Sequence, residues 1–273
     1  MKTCIATVIY TQAKPYLQDL LDSVDNQSDS DFDLLIINDN YSTNELEELN
    51  LPESAVVVDC HEKHLSIVGT RIEMLRQAKQ LGYDLAILVD ADDACSATRV
   101  AEYKKAYELD KTKVFFYNKF VTEDGKDVFK ILPESVTDVK LISQQNFLGL
   151  SNTGIRLDAI SDEFLDSLNE CESPVFDWYL FTRILMDIGE GQLVDNATTI
   201  YRIYENNTAG TSRDLKKELD VKRKHYSILS ERYDCFKEMK TKLLAMEESD
   251  LKLSNNHQGY WWSDIQMEDN YEI

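Results

Sequence analysis

A chain of 273 residues with a formal charge of −21 repels nucleic acid and holds no net attraction for an anionic membrane. Its hydrophobic content of 43% is that of an ordinary globular protein, and no apolar run approaches the length of a membrane span. Five scattered cysteines without C-x-x-C spacing argue for reduced thiols in a cytoplasmic protein.

The length suits one large α/β domain, alone or with an appendage. Residues 4–10 read as a first strand, too short for the core and cleavage site of a signal peptide. A turn follows, with Pro15 suited to the first helical position. Tyr16, Leu17, Leu20, Leu21 and Val24 then recur at helical spacing. After a polar break, residues 32–37 form a second strand that delivers Asp39 at its carboxyl end. A short strand at 55–59 leads to a loop whose His61 and His64 lack the H-E-x-x-H spacing of a zinc site. Residues 66–81 are helical, with Ile67, Ile72, Leu75 and Ala78 on one stripe and Gly82 as the stop. Arg71 lies near the start of that helix, placed either to reach a phosphate or base or to solvate a face.

The most informative stretch comes next. The apolar run from Leu85 to Val89 ends in Asp90, Asp92 and Asp93. Such a run reads as a strand buried on both faces, and the carboxyl edge of an open α/β sheet is where ligands bind. Acids so crowded need a positive neighbour, and a divalent cation carrying phosphates supplies one. A calcium loop fails, because Ala94 and Cys95 stand where an acid or amide and a glycine are required. A phosphoryl-transfer pair, Asp90 as nucleophile and Asp92 as acid/base, stays open, as does a solvated turn with Asp93 capping the next helix.

That helix spans 97–109, followed by a strand at 114–121, a turn at 123–126 and a strand at 128–132. The alternation of strands and helices predicts a parallel sheet with right-handed crossovers, and the hairpin predicts a mixed extension. Residues 147–156 are strand-like and rich in small side chains, so a backbone or ligand approaches closely there. Helices are expected at 162–168 and 173–186, the second with Pro174 in its first turn. Asp177 is out of character on so apolar a helix. It either sits favourably at the positive helix end or is a general base whose pKa the apolar surroundings raise. A strand at 192–203 carries Arg202, a phosphate contact in so acidic a chain. One long helix at 215–244 packs on the parent domain or meets a partner or membrane, and Tyr260, Trp261 and Trp262 either stack on sugars or are buried.

Together these pieces resemble the family-2 glycosyltransferases, which have a GT-A-type fold. The carriers are the first strand and helix, Ile36-Ile37-Asn38-Asp39, Gly69-Thr70-Arg71, Leu88-Val89-Asp90-Ala91-Asp92-Asp93, Phe176-Asp177-Trp178-Tyr179, and Tyr201-Arg202 with Asn206-Asn207-Thr208. The resemblance implies an α/β fold with a mixed, mostly parallel sheet flanked by helices over 1–210 and a helical C-terminal extension over 211–273. It implies a hexosyltransferase-like enzyme that moves a sugar from a nucleotide-diphosphate donor, a UDP-sugar being favoured, to a glycan or lipid-linked acceptor in polysaccharide biosynthesis. Thr11, Asp39, Arg71, Asp90 and Arg202 would bind the nucleotide sugar, Asp92 would hold Mg²⁺ or Mn²⁺, and Asp177 would be the base of an inverting displacement. Asn38 and Tyr204 depart from the family pattern, and a Q-x-x-R-W segment is missing, which argues against a processive synthase. The alternatives are a nucleotide-sugar-binding protein without catalysis and a metal-dependent phosphotransferase built on Asp90. The expected location is cytoplasmic, or peripheral at the inner face of the membrane.

Overall fold

The computed structural model describes residues 1–168, 173–203, 214–247, 254 and 258–267. Strands β1 (Thr3–Ile9), β2 (Asp33–Asn38) and β3 (Ala55–Asp59) alternate with helices α1 (Leu17–Asp25), α2 (Thr43–Glu47) and α3 (Ile67–Gln80). Strand β4 (Leu85–Leu88), the two-residue β5 (Ala94–Cys95), α4 (Arg99–Leu109) and β6 (Phe115–Val121) follow. Next come β7 (Ser135–Val136), α5 (Lys140–Ser143), β8 (Thr153–Arg156), α6 (Asp162–Leu168), α7 (Phe176–Asp187) and β9 (Gly191–Ile200), and then α8 (Leu215–Arg232) and α9 (Cys235–Ala245).

The strands make one sheet in the order β3-β2-β1-β4-β8-β6-β9-β5, with β7 beside β9. From β3 to β4 every pairing is parallel, β8 is antiparallel to both its neighbours, and β6 and β9 are parallel. The mostly parallel sheet read from the sequence is therefore present.

Both faces of the central strands are buried. Cys4, Ala6, Ala86 and Leu88 belong to a core shared with α3, α6, α7 and α8. Ile5, Leu85, Ile87 and Val89 belong to the opposite core, shared with α1 and α4. Alternate residues of one strand thus serve opposite cores, as the period of two requires. The apolar stripe of α1, Leu17, Leu20, Leu21 and Val24, is buried as its spacing predicts. Ser66 caps α3 by accepting the Gly69 N–H at 3.0 Å, and Gly82 closes it at φ +77°.

Two expectations need correction. Residues 128–132 are not a strand; Asp127 makes a single bridge to Val121, and the segment that pairs in the sheet is β7, on β9. The turn at Gly125 is present, but the chain leaves the sheet after it. The close approach expected at 147–156 is present and is made by backbone as well as a ring: a Cβ on Gly154 would lie 3.2 Å from the Ala86 carbonyl oxygen and 2.8 Å from the Tyr103 ring. The single helix at 215–244 is two. It breaks at Tyr233 and Asp234, and α9 returns along α8, where Arg223 Nε donates to the Leu243 carbonyl at 3.0 Å. The apolar stripe reads through the break because both helices bury it.

The tail aromatics are packing residues. Trp261 lies among Phe120, Phe129 and Tyr201, with ring centroids 5.5, 5.0 and 5.9 Å away. Tyr204 and the Asn206-Asn207-Thr208 run lie outside the described residues.

Candidate active site

The site forms where β1, β2 and β4 end side by side. The loop after β4 is fixed from behind by Arg99, which is fully buried and donates to the Leu88 carbonyl at 2.8 Å and to Cys95 Sγ at 3.2 Å. From the side, Ser151 Oγ accepts the Asp90 N–H at 3.1 Å, and the Asp93 N–H closes the turn on the Asp90 carbonyl at 3.1 Å. The three carboxylates are therefore set by buried groups rather than by a flexible turn.

Each acid has a different setting. Asp90 meets Arg71 at 3.3 Å, with 34% of its side chain exposed to the cleft. Burial pushes its carboxyl up, Arg71 pulls it down, and Asp92 pushes it up again. Asp93 is buried, accepts the Arg202 N–H at 2.9 Å and lies beside Ser151, and among the described residues its Oδ2 lacks a well-formed hydrogen bond. Burial, then Asp92 and Asp90, hold Asp93 well above the usual carboxylate range. Asp92 is half-buried between them.

Opposite these acids, the first turn of α7 presents Asp177. Its Oδ1 accepts the Trp178 N–H at 2.7 Å. Burial raises its pKa to about 6, while Arg71 and the Trp178 N–H pull it down and Asp90 pushes it up. Arg71 is thus a cation whose charge acts on both Asp90 and Asp177.

Thr11 and Asp39 stand along the same edge. The Thr11 N–H and Oγ1 both donate to Asn40 Oδ1, at 2.8 and 2.9 Å, and the Asp39 N–H donates to the Ile9 carbonyl at 3.1 Å. Asn38 is buried and clamps the loop through both polar atoms, donating to the Tyr41 carbonyl and accepting the Tyr41 N–H, each at 2.8 Å. In this chain Asn38 shapes the loop that carries Asp39.

Arg202 reaches the site, but its guanidinium is engaged by protein. It meets Asp19 at 2.5 Å and Glu123 at 2.9 Å, donates to the Asp92 carbonyl at 3.2 Å, and lies 4.5 Å from the Tyr16 ring centroid.

Sequence reasoning missed three contributors. Tyr10, at the end of β1, has its hydroxyl pKa raised by burial and by Asp92 and Asp90. Ser151 and Arg99 hold the acid loop. Tyr10 had a signal in its place, the last residue of a buried strand beside Thr11; Arg99 looks like any helix residue until β4 lies over it.

Among the described residues no three His, Cys, Asp or Glu side chains close around one point. Mg²⁺ and Mn²⁺ do not need such a cage, since one or two carboxylates suffice when substrate phosphates and water complete the shell. The half-buried Asp92 and the poorly hydrogen-bonded Asp93 Oδ2 fit that arrangement.

With this geometry in view, the class follows. The sequence matches glycosyl transferase family 2 over residues 4–156, more than half of the chain, and the chain belongs to this family. Its fold is the GT-A type. S. aureus TarS superposes with a TM-score of 0.54 at 14% identity, covering 83% of this chain and 44% of that one. S. aureus TarS 1-349 in complex with UDP-GlcNAc gives 0.57 at 15% identity, covering 90% and 71%. The mannosyltransferase PcManGT from Pyrobaculum calidifontis, in complex with GDP-Man and Mn²⁺, gives 0.56 at 11% identity, covering 85% and 65%. The chain thus spans less than half the length of that TarS chain. No curated protein sequence matches it. Asp177 and Arg202 lie beyond the matched residues. No helix among the described residues is long and apolar enough to cross a membrane.

Proposed function

We propose that the chain is a metal-dependent, inverting glycosyltransferase that takes its sugar from a nucleoside diphosphate donor. The observation that carries this is the pairing of Asp177 with Asp90 across Arg71. One carboxylate is raised toward the range of a working base, and the other stands at the sheet edge where a nucleotide would lie. Thr11 and Asp39 hold the base and ribose, Asp90 lies against the ribose, and Arg71 adds positive charge nearby. Asp92 holds Mg²⁺ or Mn²⁺, which when bound stabilises the charge of the departing diphosphate.

Asp177 accepts the proton of the acceptor hydroxyl as its oxygen attacks the anomeric carbon from the face opposite the diphosphate. The new carbon–oxygen bond forms, the bond to the diphosphate oxygen breaks, and the electron pair leaves on the nucleoside diphosphate. A single displacement inverts the anomeric centre. Arg202 serves the diphosphate only after giving up Asp19 and Glu123. A UDP-sugar is the favoured donor, and a glycan or lipid-linked hydroxyl in polysaccharide assembly the acceptor. Residues 1–210 form the catalytic domain and 211–273 its extension.

The test is the configuration of the sugar released by slow hydrolysis of UDP-GlcNAc, and of GDP-mannose, in the presence of Mn²⁺, followed by proton NMR. Inversion supports the reading. Retention removes the single displacement, and absence of turnover with any nucleotide sugar, despite binding, favours a protein that binds donors without catalysis.

A further inference from the structure

We propose that His225, on α8, is a positioning residue for the base: its ring is the plate on which Trp178, and through it Asp177, is set. The inference rests on the reading of Asp177 as base. The His225 and Trp178 rings stack with centroids 4.0 Å apart and planes 17° from parallel. His225 is fully buried, and among the described residues neither of its ring nitrogens has a hydrogen-bond partner. Buried polar atoms left unpaired cost free energy, so the ring is not there to hydrogen-bond. Burial and the neighbouring Lys222 hold its pKa down to about 3, which keeps the ring neutral and flat against the indole.

The indole has two further ties. Its Nε1 donates to the Ile142 carbonyl at 2.6 Å, and the Trp178 backbone N–H donates to Asp177 Oδ1 at 2.7 Å. One edge of the ring is thus held by α5, one face by His225, and the residue's own N–H aims the carboxylate. The plate itself is rigid, because α8 is anchored on both sides of His225. Tyr226 OH donates to the Ser143 carbonyl at 2.6 Å, and the buried Glu218–Lys222 pair, 3.0 Å apart, grips the backbone of Asp264 and Ile265. The charged groups facing Asp177 are Arg71 and Asp90, and the one facing His225 is Lys222. The helical extension thereby becomes part of the machinery that orients the base, although it lies outside the residues matched to the family.

The test compares His225→Ala, His225→Phe and Asp177→Asn, using Mn²⁺-dependent release of UDP from UDP-GlcNAc, or of GDP from GDP-mannose, with water as acceptor. Misplacing the base in His225→Ala lowers kcat by about tenfold to a hundredfold. The donor KM and the rise in melting temperature with UDP and Mn²⁺ stay as in the wild type, while the acid limb of the pH profile moves. His225→Phe keeps a flat ring without unpaired nitrogens and restores both. Wild-type kcat and acid limb in His225→Ala, with Asp177→Asn inactive, overturn the inference; so does joint loss of kcat and donor affinity. Full activity in Asp177→Asn removes the base reading itself, and this inference with it.

Discussion

The two sides of the cleft hold their carboxylates in opposite ways. Asp90, Asp92 and Asp93 follow one buried strand and crowd one another, with Arg71 at 3.3 Å from Asp90 and a poorly hydrogen-bonded oxygen on Asp93. That side is electrostatically incomplete, and a cation bridging a diphosphate would complete it. Asp177 stands in the first turn of α7, oriented by the N–H of Trp178, whose indole stacks on His225. The contrast separates two tasks: a site that gathers ligand charge leaves acids unsatisfied, while a site that moves one proton isolates a single acid and tunes it.

The largest expected effect tests that division from the Asp177 side. Asp177→Asn keeps the shape and removes the proton acceptor, so turnover of a nucleotide sugar should fall by about 10²- to 10⁴-fold with little change in donor affinity, measured by steady-state kinetics. The pH profile follows from the same carboxyl. Its pKa lies near 6, and the base must be ionised to work, so activity should fall as pH drops below about 6 and level off above it. Arg71→Gln removes the cation that pulls down both Asp90 and Asp177, so the acid limb should move to higher pH and donor affinity should weaken together.

Smaller effects separate packing from chemistry. Gly154→Ala places a methyl 2.8 Å from the Tyr103 ring, and overpacking of this kind costs about 1–3 kcal/mol, readable as a lower urea midpoint. The smallest effect on stability comes from the pairs that engage Arg202. In each, the acid is more than half exposed, so Asp19→Asn with Glu123→Gln should change stability by no more than about 1 kcal/mol per pair. If Arg202 serves the diphosphate, that double variant should bind UDP more tightly in calorimetry.

The N-terminal half of the fold was legible because its signals are local. Runs such as Leu85 to Val89 are buried on both faces, and each delivers its acid where the strand stops. The break between α8 and α9 was not legible, since the apolar stripe continues across Tyr233 and Asp234 and no glycine or proline marks the turn. Residues 128–132 have the apolar content of a strand, yet Phe129 packs against Trp261 and Tyr260, over a hundred residues away, instead of joining the sheet. Arg99, Ser151 and His225 act through partners that only the folded chain brings near. Arg202 was read as a phosphate contact, and its engagement by Asp19 and Glu123 depends on α1 and the turn after β6 meeting there.

The central claim is that the strand-end acids gather a metal-bound nucleotide while Asp177 is reserved for chemistry. It is tested most directly by thermal denaturation of Asp92→Ala and Asp177→Asn with UDP, with and without Mn²⁺. Ligand at a hundredfold excess over Kd stabilises the native state by about 2.7 kcal/mol. Asp177→Asn should show the wild-type, Mn²⁺-dependent rise in midpoint and Asp92→Ala none. A full rise in Asp92→Ala, or its loss in Asp177→Asn, would contradict the claim.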